Sequence, residues 1–403
     1  MNDTKPFGVE ITLSDVCKNI TYGYTASATS ENTGVKFLRI TDIVPSRIDW
    51  ESVPFCKISP SDLDKYQIRE GDIVIARTGA TTGYNKTIKQ LPYPAVYASY
   101  LIKYDLDRYK ADSAFVGYVL QASNWYEYVD AIAGGSAQPG ANAKQLGSYT
   151  FILPALPEQK AIASVLSSLD DKIDLLHRQN KTLEAMAETL FRQWFIEEAK
   201  EDWEIFQLQD LAKLQIGRTP PRKESHWFSD NTNDMKWVSI KDLGAHGIFV
   251  TYSSEYLPIS TIDHFNIPII PEGTVMLSFK MTVGRVGIAI ENMVSNEAIA
   301  QFQIKKRLTS ELLYCFLKQF NFDTLGSTSS IVTAVNTALL KGIEIALPED
   351  DLIQEFTEQV KSYFDKVKAN QLQIQTLENL RDTLLPKLMS GEVRVQYQTE
   401  EVA

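Results

Sequence analysis

The chain has 403 residues, 44% hydrophobic, 23% charged and 10% aromatic, a balance that excludes wholesale disorder and allows two or three separate cores. No apolar run approaches the roughly 20 residues that cross a bilayer, and the start MNDTKPFGVE lacks the basic cluster and apolar run of a secretory leader, so a cytoplasmic location is expected. Net charge is −11, but residues 1–153 and 203–346 each carry −1, whereas 154–202 and 347–403 carry −4 and −5. The acidity is confined to two segments. A near-neutral lobe can still present a basic face, so nucleic acid is not excluded as a partner.

In chain order, residues 7–153 alternate short β-rich runs with Gly, Pro and Asn turns. VKFLRITDI (Val35 to Ile43), GDIVIAR (Gly71 to Arg77), SYLIKYDL (Ser99 to Leu106) and SYTFILPAL (Ser148 to Leu156) are predicted strands, and Ser113 to Tyr128 a helix. From Leu156 to Ala199 core-type residues recur in steps of four and three: Ile162, Leu166, Leu169, Ile173, Leu176, Asn180, Leu183, Ala187, Leu190 and Trp194. Pro157 and Glu158 suit the start of this helix. A helix from Pro157 to Ala199 would span roughly 65 Å, too long for one compact domain to cover, and needs a partner helix.

The second half replays the first. MKWVSIKDL (Met235 to Leu243) repeats VKFLRITDI, Glu272 to Ile290 repeats Glu70 to Ile88, and GIEIALPED (Gly342 to Asp350) leads into a second long helix. Moving the ten seam positions forward by 194 gives eight apolar or aromatic residues, with Asn370 and Arg381 as the exceptions; Pro386 is a possible kink and Ser390-Gly391 a C-cap. If the repeats are related by a two-fold axis between the helices, the helices run antiparallel and pair where residue numbers sum to 550. Asn180 then faces Asn370, Trp194 faces Phe356, and Leu169 faces Arg381, whose guanidinium is expected to reach outward. A buried amide pair disfavours slipped registers.

The duplicated order, together with GYTASATSENTGVKFLRITDI (Gly23 to Ile43), LQIGRTPPRKESHWF (Leu214 to Phe228) and LPALPEQKAIASVLSSLDDKI (Leu153 to Ile173), resembles the specificity subunit of type I restriction-modification systems over essentially the whole chain. The second helix entrance, Leu347-Pro348-Glu349-Asp350, departs from the family's pattern in lacking its glutamine. The resemblance implies an α+β fold: target recognition domains at 1–153 and 203–346, and helical regions at 154–202 and 347–403 forming an intramolecular antiparallel coiled coil. It implies that each recognition domain reads one half of a bipartite site in double-stranded DNA. The helices would act as spacer and as docking surface for two methyltransferase subunits, with motor-nuclease subunits completing the complex. S-adenosylmethionine, ATP and Mg²⁺ would belong to those partners. One helical turn inserted after Asn180 would then lengthen the gap of the recognised site.

The residues agree with a reader more than a catalyst. No G-x-x-x-x-G-K-[ST] loop occurs, and the only Pro-Pro, Pro220-Pro221, follows Thr219 and not the Asn or Asp of an adenine methyltransferase. Glu158-Gln159-Lys160 matches half of a nuclease site but opens a helix, and His177, His226, His246 and His264 lack metal-ligand spacing. The three cysteines, Cys17, Cys56 and Cys315, fit buried thiols better than a disulfide framework or a zinc site. The alternatives are a self-contained DNA methyltransferase or nuclease, and a coiled-coil scaffold that binds no DNA.

DNA contact is expected from loops rich in Gly, hydroxyl, amide and basic residues. In the first lobe the candidates are Tyr22, Tyr24, Thr25, Arg77, Thr78, Thr81, Lys86, Gln138 and Asn142; in the second they are Arg218, Thr219, Arg222, Lys223, Lys280, Arg285, Ser327 and Thr328. Tyr22 and Tyr24 also suit a core role, and each loop alone suits a solvated turn. The basic run Lys305-Lys306-Arg307 is expected on a solvated face.

Overall fold

The computed structural model describes residues 7–45, 47–134, 140–245, 247–325 and 335–396. The chain divides into two compact units, residues 1–171 with 378–403, and residues 172–377. In the first, a four-stranded antiparallel sheet is ordered Cys17–Tyr22, Leu101–Leu106, Ile73–Ala76, Asn85–Thr87. Its pleat separates two cores: Ile73, Ile75, Ile102 and Tyr104 join Phe115, Trp125 and Ile162 on one face, while Val74, Ala76 and Leu101 join Leu38 and Tyr97 on the other. Both faces are covered, which is why Ile73-Val74-Ile75-Ala76 is an unbroken apolar run. Val9–Thr12 pairs antiparallel with Thr150–Leu153, and Lys36–Leu38 pairs parallel with Ala95–Tyr97.

The second unit repeats the plan. Its sheet runs Ala212–Ile216, Ile299–Ile304, Val275–Ser278, Val286–Ala289, then a short parallel edge strand, Phe249–Val250, that extends the four-strand plan. Glu204–Gln207 pairs with Glu344–Leu347, and Met235–Val238 runs parallel to Val294–Ser295.

The predicted strand Val35 to Ile43 stops at Leu38, and Ile40–Ile43 is a helical turn. Asp42 accepts from the Arg39 amide at 2.8 Å and from its Nε at 3.0 Å, so local bonding replaces a sheet ladder. Ser239 and Asp242 do the same before Ile240–Ala245 in the second unit. Ser113 to Tyr128 is two helices, Ser113–Val119 and Ser123–Ala133, not one.

The central helix spans Leu156–Arg192, about 55 Å at 1.5 Å per residue, and continues as a π-helical turn at Gln193–Glu197; the α-helical part is therefore shorter than the sequence pattern suggests. The C-terminal helix, Asp350–Ser390, runs through Pro386 and ends at Gly391, whose φ of 76° supplies the left-handed cap. Within the second unit the helices pair antiparallel. Asn370 Nδ2 donates to Asn180 Oδ1 at 2.8 Å, and the Trp194 and Phe356 rings lie 6.0 Å apart, both pairs summing to 550. Gln371 reaches the edge strand beside them, its Oε1 accepting from the Phe249 amide at 3.0 Å and its Nε2 donating to the Phe249 carbonyl at 2.7 Å.

Two arginines depart from expectation. Arg381 does not reach outward: it donates to Asp170 at 3.1 Å, and the same carboxylate accepts from the Tyr118 hydroxyl at 2.6 Å, so the charge stays paired. Arg307 is not on a solvated face; it bonds Glu204, Asp350 and the Pro348 carbonyl, tying the start of the C-terminal helix to its lobe. Glu158, half of the apparent nuclease motif, is 3% exposed at its side chain and accepts two bonds from Arg394, at 2.5 and 2.8 Å.

Candidate nucleic-acid interface

Strand pairing gathers the loop residues of each unit at one end of its sheet. In the first unit Tyr22 ends the first strand, Arg77 follows Ile73–Ala76, Tyr84 precedes Asn85–Thr87, and Tyr100 precedes Leu101–Leu106. The register, Tyr22 opposite Ile102, Ala76 opposite Leu101 and Ile75 opposite Asn85, places all four together. The Arg77 guanidinium lies 5.0 Å over the Tyr22 ring, and its Nε is buried without a hydrogen-bond partner among the described residues. Tyr22, Tyr84 and Tyr100 are exposed, Tyr100 by 61%.

The second unit builds the same end from Gly217-Arg218, Phe279-Lys280, Arg285 and the turn Asn296-Glu297-Ala298. The backbone crossing that holds it is shared. Gly23 and Tyr24 donate to the carbonyls of Leu101 and Tyr97 at 3.1 and 2.7 Å; Gly217 and Arg218 donate to those of Ile299 and Ser295 at 3.4 and 2.9 Å. A Cβ at Gly23 would lie 2.2 Å from the Ala98 oxygen, and one at Gly217 2.0 Å from the Ser295 oxygen, so only glycine fits. The hairpin tips also correspond: Gly79 and Gly83 take φ of 75° and 88°, Met281 and Gly284 take 59° and 93°. Met281, 96% exposed, holds a left-handed conformation that glycine adopts more easily.

The sequence-predicted residues divide into two sets. At or beside the loop ends stand Tyr22, Thr25, Arg77, Thr78, Thr81, Arg218, Thr219, Lys223 and Lys280. Arg218 and Lys280 are exposed, Arg218 steadied by donation to the Phe265 carbonyl at 2.8 Å and Lys280 lying 5.4 Å from the Phe279 ring centre. Structural work occupies the others. Tyr24 packs on Tyr66 at 5.2 Å, and Asn142 caps Ala143–Gly147 through the Gln145 amide. Arg222 bonds Glu255 twice and lies 4.5 Å over both Phe228 and Trp237. Arg285 donates to the Ile240 carbonyl at 2.7 Å. Lys86 donates to the Pro45 carbonyl at 2.8 Å; burial lowers its pKa, partly offset by the charge of Asp170. Gln138, Ser327 and Thr328 lie outside the described residues.

Sequence reading missed the third loop, Ala98 to Tyr100 and Asn296 to Ala298, because Ser99 and Tyr100 read as the start of a strand and because a search for basic and hydroxyl residues passes over the carboxylate of Glu297. Glu297 accepts from the Thr219 hydroxyl. Its pKa lies below the ordinary glutamate value: burial opposes this, but the Thr219 bond, a backbone amide and the charges of Lys280 and Arg222 prevail. Among the described residues, no group of three or more His, Cys, Asp or Glu could hold a metal ion, and no helix is long and apolar enough to cross a membrane.

The two units are thus repeats of one plan, each gathering its loops at one end of its sheet. A family model described as the type I restriction modification DNA specificity domain matches residues 8–185 and again 200–379. The chain belongs to that family: it is a DNA specificity subunit, the recognition and not the catalytic component. It is 27% identical over 316 residues to the specificity subunit of the MjaIX type I restriction enzyme of Methanocaldococcus jannaschii, covering 70% of each chain. It is 22% identical to the HindI specificity subunit of Haemophilus influenzae, covering 95% of this chain and 99% of that one. The crystal structure of a type I S subunit from M. genitalium shares the fold, with a TM-score of 0.60, 15% identity and coverage of 99% and 98%.

Proposed function

We propose that each unit reads one half of a split double-stranded DNA site through its loop end, while the paired helices set the distance between the halves. The observation that carries this is the repeated glycine crossing, which presents the same three loops at the same strand ends in both units. Arg77, Arg218 and Lys280 supply charge for phosphates, and the exposed tyrosines and loop amides face base edges. Two methyltransferase subunits dock on the helices, whose outer faces carry the acidic charge, and motor-nuclease subunits join them. An open apolar groove of about 570 Å³ beside Ala185, Met186, Leu190 and Tyr363 supports this docking. S-adenosylmethionine, ATP and Mg²⁺ serve those partners, and the assembly works in the cytoplasm.

The test is co-expression with the cognate methyltransferase subunit followed by methylome sequencing, which is expected to return a bipartite motif. Because Asn180 and Asn370 pair between antiparallel helices, one helical turn must be inserted after Asn180 and a matching turn before Asn370 to preserve the register. Such an insertion moves the helix ends by about 5.4 Å, or one to two base pairs. The gap is expected to lengthen with both halves unchanged. Changed halves with an unchanged gap would overturn the spacer role.

A further inference from the structure

Glu297 is out of place on a surface for phosphates. It is exposed, it stands on the turn between Val294–Ser295 and Ile299–Ile304, and it faces the loop that carries Arg218 and Thr219. A carboxylate beside a polyanion is repelled, and an exposed one without a task costs affinity. Yet this one is built in. The Asn296 side chain accepts from the Ala298 amide at 3.0 Å and shapes the turn, the Asn296 amide donates to the Val238 carbonyl at 3.1 Å, and Thr219 fixes the carboxylate. Against the cost of burial, the Thr219 bond and a backbone amide, helped by the charges of Lys280 and Arg222, hold its pKa below the ordinary glutamate value.

An ionised carboxylate only accepts hydrogen bonds. In the major groove guanine presents two acceptors, thymine an acceptor and a methyl group, and adenine a donor flanked by the N7 acceptor; cytosine presents its N4 donor alone. We infer that Glu297 is a specificity-determining residue that accepts from the N4 amino group of a cytosine in the half-site read by the second unit. The corresponding position in the first unit, aligning Val96-Tyr97-Ala98 with Val294-Ser295-Asn296, is Ser99, which both donates and accepts. The two halves therefore differ at this position, and only the second requires cytosine.

This inference rests on the loop ends being the DNA interface, and the test separates the two. The full chain is co-expressed with its methyltransferase subunit and the methylome is sequenced for wild type, Glu297→Ala, Glu297→Gln, Thr219→Val and Lys280→Glu. Wild type is expected to show a C·G pair in one half. Glu297→Ala makes that position degenerate, lowering its preference for cytosine about tenfold or more, with the other half and the gap unchanged. Glu297→Gln moves the preference toward adenine, whose N6 and N7 an amide matches. If both Glu297 variants keep every letter of the motif, or weaken methylation at all sites alike as Thr219→Val would by loosening the turn, the inference is overturned. If Lys280→Glu leaves affinity for the cognate duplex unchanged, the interface reading fails, and this inference with it.

Discussion

Replacing Asn370 by leucine should stabilise the chain while loosening its helix register. Asn370 is 1% exposed, and its Oδ1 has no hydrogen-bond partner among the described residues. Such an orphan acceptor costs about 1–3 kcal/mol, whereas the bond that Asn370 donates to Asn180 at 2.8 Å, with a longer one to Gln179 at 3.4 Å, returns about 1 kcal/mol. Leucine has the same branched shape and number of side-chain heavy atoms but bulkier methyl groups; it removes the orphan and adds apolar burial beside Val367 and Ile374, which outweighs the extra volume because its partner Asn180 is only half-buried. Asn180 is only half-buried and can turn to water. The net expectation is a gain of about 1–2 kcal/mol, which for a unit of about two hundred residues raises Tm by about 4 °C. Thermal unfolding followed by circular dichroism at fixed protein concentration reads this directly. A fall in Tm of similar size would refute the reasoning, because it would mean that the amide pair contributes more than its orphaned oxygen costs.

Arg394→Ala strands the Glu158 carboxylate in its buried site, and with Arg394 itself half-exposed the loss should be about 2–3 kcal/mol, visible as a lower melting midpoint for the first unit. Gly23→Ala and Gly217→Ala each force a backbone shift at a carbonyl and should cost about 1–3 kcal/mol in urea unfolding; Gly34→Ala, where a Cβ meets nothing within 4 Å, isolates the cost of backbone conformation from that of crowding. Glu188 has a pKa raised by burial, only partly offset by Lys318. A carboxyl whose folded pKa exceeds its unfolded value stabilises fully below the unfolded value near 4.5, and that contribution is lost as pH rises through the folded pKa. Glu188→Gln should therefore flatten the fall in stability as pH climbs above about 4.5. Urea midpoints taken between pH 4 and 7 that kept the wild-type slope would contradict this.

Long-range order was the most legible part of the sequence. A seam of ten positions and its copy 194 residues later contained the register, because heptad spacing and an Asn pair are properties of composition at fixed intervals. Loops were legible as stretches and much less as residues. Arg222 and Lys280 look alike in sequence, yet one is held by Glu255 and two rings while the other lies against its neighbour Phe279, a distinction that depends on partners 6, 15 and 33 residues from Arg222. Ile40 and Ile240 read as strand because β-branched apolar runs favour strands, and a local capping aspartate overrides that preference. Glu297 was hidden because its role comes from the shape of a turn, not from its neighbours in sequence.

The two bonds from Gln371 to Phe249 give the C-terminal helix a role beyond pairing with its partner. Phe249–Val250 is the outer strand of a five-stranded sheet, and an outer strand offers its free amide and carbonyl to any passing chain. One glutamine side chain, presenting an acceptor and a donor side by side, occupies those two groups as a further strand would and then stops, because a side chain cannot be extended by another strand. The helix thus acts as a stopper on the sheet, and its removal by Gln371→Ala would open that edge to a second molecule.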